Sequence, residues 1–273
     1  MPLFQAIILG IVQGATEFIP VSSSGHLVVF PLLFGWAEQP LVFDTTMHLA
    51  TVFALLFCFW KDIINILRAF FADVLSSHRF SLKEYSSEAL LGLNIIIGSI
   101  PVALVGYFWG DAIENQFRAV VFVAIFLVFG SVLMFVSEKQ FSKRLVVKDE
   151  VSTGKGFGIG LFQVFSLLPG VSRSGSTISG GMILGISRKD ATRFSFLLSI
   201  PVLLMAGILN LLRSYKYLML INILPLAVGF LAAFIVGIIS INFLIKFVRT
   251  NTLYPFIIYR VLLAGFLIFL VLR

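Results

Sequence analysis

Cysteine is nearly absent from this 273-residue chain: Cys58 stands alone inside an apolar run, so neither an intrachain disulfide nor a cysteine-based zinc site can form. That argues against redox chemistry. Charge is equally scarce, with Asp, Glu, Lys and Arg at 12% of residues against about 25% in a soluble domain. Apolar residues make up 59% and the mean hydropathy is +1.05, which excludes a soluble globular fold. Acidic residues are rarer than basic ones, 13 against 20, giving a net charge of +7. The basic residues are divided among short stretches and form no stripe interleaved with aromatics, so a nucleic-acid partner is excluded as well. The start, Met1-Pro2-Leu3-Phe4, lacks the basic region and small-residue cleavage site of a secretory signal peptide; the N-terminus is expected to be retained.

What the chain has in abundance is long uncharged runs: Ala89 to Gly110, Ala119 to Ser137, Phe194 to Leu212 and Tyr217 to Ile245. Two more extend from Thr45 to Trp60, with a possible continuation past Lys61 and Asp62 to Leu67, and from Thr250 to Leu272, interrupted by Arg260. Each approaches the roughly 20 residues that span a bilayer, predicting six spans of an all-α polytopic membrane protein. Two further regions, Met1 to Ala37 and Gly156 to Ser187, are apolar but broken by Pro, Ser, Gly and ionisable residues, and read as paired half-helices. Non-helical backbone at membrane depth is tolerated only inside protein or along a wet cavity, so such breaks are expected to line a site.

The two broken regions resemble each other. Gly10, Gln13, Val21, Ser22, Ser24 and Gly25 recur 150 positions later as Gly160, Gln163, Val171, Ser172, Ser174 and Gly175. Each region is followed by three spans, so the chain reads as a duplicated unit of one broken, re-entrant pair plus three transmembrane helices. An odd number of crossings inverts the second copy, and an inverted repeat places a site near the midplane. The expected organisation is a single membrane domain over 1–273, with repeat halves 1–137 and 156–273 joined by a cytoplasmic connection at 138–155. Lys and Arg concentrate in cytoplasmic loops. With both termini outside, only Arg118, Arg213, Lys216 and Arg273 fall on the outer side, Arg173 and Arg260 lie at membrane depth, and the remaining fourteen of the twenty lie inside.

A charge at mid-bilayer costs about 2.5–3.5 kcal/mol even on lenient scales, so the polar residues of the broken regions demand a reason. The first holds Gln13, Glu17, Ser22, Ser23, Ser24 and His26; the second holds Gln163, Ser172, Arg173, Ser174, Ser176 and Thr177. If the tips meet, Arg173 presents a planar fork to phosphate oxygens and Ser-Gly turns that open half-helices aim N–H groups at the same anion. Ser23 is a candidate nucleophile and His26, three residues on, its candidate base. Glu17 either orients that base or, with Gln13 one turn earlier, holds a divalent cation. Blander readings stand beside these: the serines as helix caps, the glutamines as interhelical bonds, Arg173 as the ion-pair partner of Glu17. Asp44 and His48 either reach the site or form an interfacial pair, the latter preferred, and Arg260 either snorkels or pairs with the other half. The thirty Phe supply lipid-facing and packing bulk, a surface that also suits a polyprenyl tail.

The stretch Gln13-Gly14-Ala15-Thr16-Glu17-Phe18-Ile19-Pro20-Val21-Ser22-Ser23-Ser24-Gly25-His26 and the stretch Pro169-Gly170-Val171-Ser172-Arg173-Ser174-Gly175-Ser176-Thr177 resemble the two signature motifs of the bacterial undecaprenyl-diphosphatase family, the integral-membrane bacitracin-resistance type. The likeness runs along nearly the whole chain, including Phe194-Ser195-Phe196-Leu197-Leu198, Pro201, and Pro255-Phe256 leading to Tyr259-Arg260. It implies hydrolysis of undecaprenyl diphosphate to the monophosphate and phosphate on the outer side of the bacterial plasma membrane, recycling the lipid carrier for peptidoglycan. It also implies a divalent cation, Mg2+ or Ca2+, at an (E/Q)xxxE motif that maps to Gln13 and Glu17, with Gln13 the weaker ligand. Ser23, His26 and Arg173 take the family's functional positions. Ser22, Ser24, Ser172, Ser174 and Thr177 are the expected substrate-binding residues. The rival reading is a transporter or lipid flippase, whose architecture also uses inverted repeats with broken helices.

Overall fold

The computed structural model describes residues 1–37, 39–75, 84–117, 119–143, 151–218 and 222–272. Arg79, Lys83, Arg118, Arg144, Lys148 and Arg273, which entered the loop-charge reading, lie outside the described residues, as does the side chain of Lys216. Among the described residues there are eleven α-helices, one 3-10 turn and no strand. The first six helices are α1 (Leu3–Phe18), α2 (Ser23–Phe34), α3 (Leu41–Cys58), α4 (Trp60–Leu75), α5 (Ser87–Phe117) and α6 (Val120–Phe141). The others are α7 (Thr153–Val164), continued by the turn Phe165–Leu167, then α8 (Arg173–Ile183), α9 (Arg188–Leu218), α10 (Ile223–Phe247) and α11 (Tyr254–Leu272).

Six helices, α3, α5, α6, α9, α10 and α11, are long and apolar enough to cross a membrane, matching the six uncharged runs. The arms of the two broken regions are shorter. Helices α2, α7 and α8 have 12, 12 and 11 residues, about 16–18 Å at 1.5 Å per residue. A hydrocarbon core is about 30 Å thick, so these arms reach only part of the way.

The first span takes the shorter of its two sequence readings, ending near Trp60 and not continuing to Leu67. Helix α3 ends at Cys58, Phe59 leaves the helical region at φ −109° and ψ 17°, and α4 begins at Trp60. On α4, Trp60, Leu67 and Phe71 are exposed together with Lys61 and Arg68. That mixture suits a membrane surface better than its interior. At the far end, the Asp73 carboxylate accepts hydrogen bonds from the Ser86 backbone N–H (2.7 Å) and hydroxyl (2.8 Å), tying α4 to the start of α5.

Packing interleaves helices from the first and second parts of the chain. Helix α1 lies on α10 from the other half and α7 lies on α5 from the first, while α3 pairs with α9 and α6 with α11. Small residues permit these approaches: Gly10 and Gly14 face Gly229, Ala233 and Gly237, and a Cβ at Gly14 would stand 2.5 Å from the Ala233 carbonyl oxygen. Gly160 meets the backbone of Gly98 in the same manner. Without a hydrophobic force between helices in lipid, such close backbone contact is what holds them. Phe18, fully buried, packs edge-on against Phe196 at 5.5 Å, and Phe196 packs against Phe59 at 6.2 Å. The last turn of α1 is thereby pinned to α9, and Glu17 with it.

Candidate active site

The two breaks are built alike. Ser22 precedes α2 at φ 76° and Ser172 precedes α8 at φ 75°, a region that costs a non-glycine residue of order 1–3 kcal/mol. Each hydroxyl accepts a hydrogen bond from the backbone N–H three residues on, Gly25 at 3.3 Å and Gly175 at 3.2 Å. Each also lies 3.2 Å from the hydroxyl two residues ahead, Ser24 and Ser174 respectively. These strained caps make the first helical residue of each arm project from the tip. In the first break that residue is Ser23, and in the second it is Arg173.

Both meet Glu17. The Ser23 hydroxyl donates to Glu17 Oε2 at 2.7 Å, and the Arg173 guanidinium donates to Glu17 Oε1 at 3.0 Å. The carboxylate is only 5% exposed and the Arg173 side chain 9%, so this is a shielded hydroxyl–carboxylate–guanidinium chain. Gln13 Nε2 also donates to Glu17 Oε2 at 3.0 Å and reaches His48 Nδ1 at 3.0 Å. The preferred reading of His48 as half of an interfacial pair gives way here: α3 carries it into the site, with Nδ1 3.7 Å from Glu17 Oε2.

His26 lies apart from Ser23's acceptor. Its Nδ1 is 2.7 Å from the Ser22 carbonyl, to which it donates, so Nε2 is left to accept from the Tyr259 hydroxyl at 2.6 Å. The two rings stack at 5.6 Å and 5°. The expected Ser23–His26 pairing is therefore replaced: the hairpin folds Glu17 back over Ser23, and the base in contact with the hydroxyl is a carboxylate.

The remaining serines and Thr177 fasten the tips. Ser24 Oγ accepts from the Gly170 N–H at 3.3 Å, linking the two loops. Thr177 Oγ1 donates to the Arg173 carbonyl at 2.8 Å and lies 2.6 Å from the Ser195 hydroxyl. The Ser195 carbonyl receives Arg173 at 3.5 Å, so the Phe194–Leu198 stretch forms the cradle beneath the guanidinium. Gln163, the counterpart of Gln13, is fully buried and neither of its amide atoms has a hydrogen-bond partner among the described residues, contrary to the expected interhelical bond.

Arg260 supplies what the sequence left undecided. It is 0% exposed and donates to Ser131 Oγ (3.1 Å) and to the carbonyls of Pro20 (3.3 Å), Leu127 (3.0 Å), Gly170 (3.0 Å) and Val171 (2.9 Å). Pro20 and Gly170 are counterparts in the duplication, so one side chain holds both turns. A single Arg in an apolar run looks the same whether it snorkels or is buried, and no local signal in the sequence tied it to the turns.

The chemistry assembled here is specific. A hydroxyl rests on a buried carboxylate, a guanidinium stands beside it, and each of the two helix starts that carry them is capped by a serine hydroxyl. Residues 6–266 match the family described as bacitracin resistance protein BacA. The chain is 38% identical to an undecaprenyl-diphosphatase of Myxococcus xanthus over 99% of this chain and 89% of the relative. It is 39% identical to one of Thermomicrobium roseum over 99% of each, and 40% identical to one of Ruthia magnifica over 100% of each. A helix-broken membrane chain whose two tips converge on one carboxylate, matched over nearly its whole length by these relatives, belongs to the BacA family.

Proposed function

We propose that the chain hydrolyses undecaprenyl diphosphate to undecaprenyl phosphate and inorganic phosphate, with bacitracin resistance as the consequence. The observation that carries this is the convergence of Ser23 and Arg173, equivalent positions of the two halves, on the two oxygens of Glu17. Ser23 Oγ attacks the terminal phosphorus as its proton passes to Glu17 Oε2. The bond from that phosphorus to the bridging oxygen breaks, and the lipid monophosphate departs. Water then releases the phosphate from Ser23: Glu17 returns its proton to the serine oxygen as the P–O bond breaks, and the water's proton replaces the one that the His26–Tyr259 pair gives to the departing oxygen. Arg173 exchanges Glu17 for the phosphate oxygens and stabilises the charge developing on them. His26, with Tyr259 on Nε2, is the proton-bearing pair left for the departing oxygen.

The donor set also fits a divalent cation: Glu17 is a carboxylate and the buried Gln13 Oε1 has no hydrogen-bond partner among the described residues. Glu17 and Gln13 would hold it, and the ion would neutralise phosphate charge. The reading further places the protein in the bacterial plasma membrane with both termini and the site opening outward, following the loop-charge bias. Halves 1–137 and 156–273 run in opposite directions, which the three long helices per half and the exchanged packing of α1 and α7 support. The polyprenyl tail lies along the lipid-facing apolar surface.

Phosphate release from undecaprenyl diphosphate, by detergent-purified wild type and Ser23→Ala with and without divalent cation, tests the proposal. Cation-dependent release lost in the variant supports Ser23 as the attacking group. Equal release by both transfers attack to water on Glu17, and no release by folded wild type makes lipid transport the leading reading.

A further inference from the structure

We infer that His48 is a third protein ligand of the cation site, giving a mixed nitrogen and oxygen set of His48 Nδ1, Gln13 Oε1 and Glu17 Oε2 that takes Mn2+ in preference to Mg2+. The inference rests on the proposed cation at Gln13 and Glu17 and extends it to α3 and to the choice of metal.

Three observations carry it. Gln13 Nε2 lies 3.0 Å from both Glu17 Oε2 and His48 Nδ1, and these two lie 3.7 Å apart. Ligand atoms about 2.1 Å from one ion are separated by about 3.0 Å at right angles and about 3.4 Å at tetrahedral angles, so the triangle is near the size one ion requires. Second, because an amide N–H donates to His48 Nδ1, that nitrogen presents a lone pair rather than a proton. Third, Gln13 Oε1 is buried without a hydrogen-bond partner among the described residues while the amide nitrogen serves two acceptors. A half-turn of the amide brings Oε1 where Nε2 now stands, and a cation between Oε1, Glu17 Oε2 and the unprotonated Nδ1 of His48 would satisfy all three lone pairs at once. In the resting site Glu17 Oε1 accepts from Arg173 and Oε2 from Ser23 and Gln13 Nε2, and turning the amide frees one acceptor position on Oε2 for the ion. The His48 side chain is 36% exposed, which gives an ion a path to the site. Pure oxygen sites suit Mg2+ and Ca2+, whereas an imidazole moves preference toward transition metals.

The test uses full-length protein in detergent loaded with Mn2+ and examined by electron spin echo envelope modulation, which detects a directly bound nitrogen. Wild type is expected to show imidazole 14N modulation that disappears in His48→Gln and persists in His26→Gln. By calorimetry, His48→Gln should weaken Mn2+ binding by at least about 10-fold, since even outer partners of a metal site cost 10–100-fold, and weaken Mg2+ binding much less. Gln13→Glu should tighten Mn2+ binding and keep the 14N signal, which verifies the site in a second fold-preserving variant. Bound Mn2+ without 14N modulation in wild type, modulation surviving in His48→Gln, or no Mn2+ binding at all would each overturn the assignment. Phosphate release by the same wild-type sample reports separately on the hydrolase reading.

Discussion

Arg260→Met removes a guanidinium of similar length and leaves five acceptors behind. Leu127 O also accepts from Ser131 Oγ at 2.7 Å, and Ser131 can keep that bond. The carbonyls of Pro20, Gly170 and Val171 belong to turns and lose a donor that the buried site does not replace. Interhelical hydrogen bonds in membranes average about 0.6 kcal/mol, so the five bonds of Arg260 together come to about 3 kcal/mol. Full stranding at about 1–3 kcal/mol per group would raise it, and relief of the buried charge would lower it. About 3 kcal/mol corresponds to a fall in Tm of about 6–12 °C for a chain of this size. The sole cysteine, Cys58, is half-buried, so a thiol-reactive fluorogenic dye reports unfolding without further engineering. Phosphate release should fall in parallel, because the tips that carry Ser23 and Arg173 lose their common fastening. A variant that melts with wild type and retains turnover would refute the idea that Arg260 holds the two turns.

Other outcomes follow from the same geometry. Tyr259→Phe leaves the ring stack but removes the 2.6 Å contact to His26, and turnover should drop about 100-fold, the lower end of the range for a proton-transfer group; unchanged kcat would remove Tyr259 from the reaction. Arg173→Lys keeps the charge and loses the planar fork, so phosphate release should fall by at least about 10-fold with folding intact, measured at saturating lipid. Glu138, 1% exposed, grips Arg188 through both oxygens at 2.5–3.1 Å and accepts the Leu253 N–H at 2.8 Å. Glu138→Gln should therefore cost about 3 kcal/mol, as breaking one side of a buried pair does, and dye-monitored melting would show it. Chelation of divalent cations should stop phosphate release reversibly, with activity restored on adding metal; release unaffected by chelator would remove the cation from the mechanism.

Much of the architecture was legible because hydropathy is a blunt signal: uncharged runs of bilayer length have few alternatives to spanning. The two breaks were legible for the opposite reason, since Ser, Gly and Pro at membrane depth have no cheap structural use, and the 150-residue recurrence pointed to equivalent tips. Partners were harder. Ser23 and His26 share a helical face by spacing, yet the turn brings Glu17 closer to Ser23 than any residue along its own helix, and a chain reversal of that kind leaves no periodic trace. His26 and Tyr259 are 233 positions apart, so nothing local announces their stacking. His48 looked interfacial because a histidine near a helix end is often so, and only the placement of α3 beside α1 brings it to Gln13. Whether the first span stops near Trp60 or runs on to Leu67 stayed open in the sequence because Lys61 and Asp62 read equally well as the end of one helix or the wet face of another.

The fastening of both turns by Arg260 has a consequence for synthesis. Pro20 emerges from the ribosome 240 positions before the arginine that holds it, and Arg260 belongs to α11, the final helix in the described chain. Until that helix enters the bilayer, both turns lack their common fastening, with the carbonyls of Pro20 and Gly170 without the Arg260 donor even though Arg173 has already been made. The catalytic centre is thus the last part of the molecule to be completed, and a nascent chain halted before α11 would sit in the membrane chemically silent. Translation order itself would then withhold phosphatase activity from an unfinished protein.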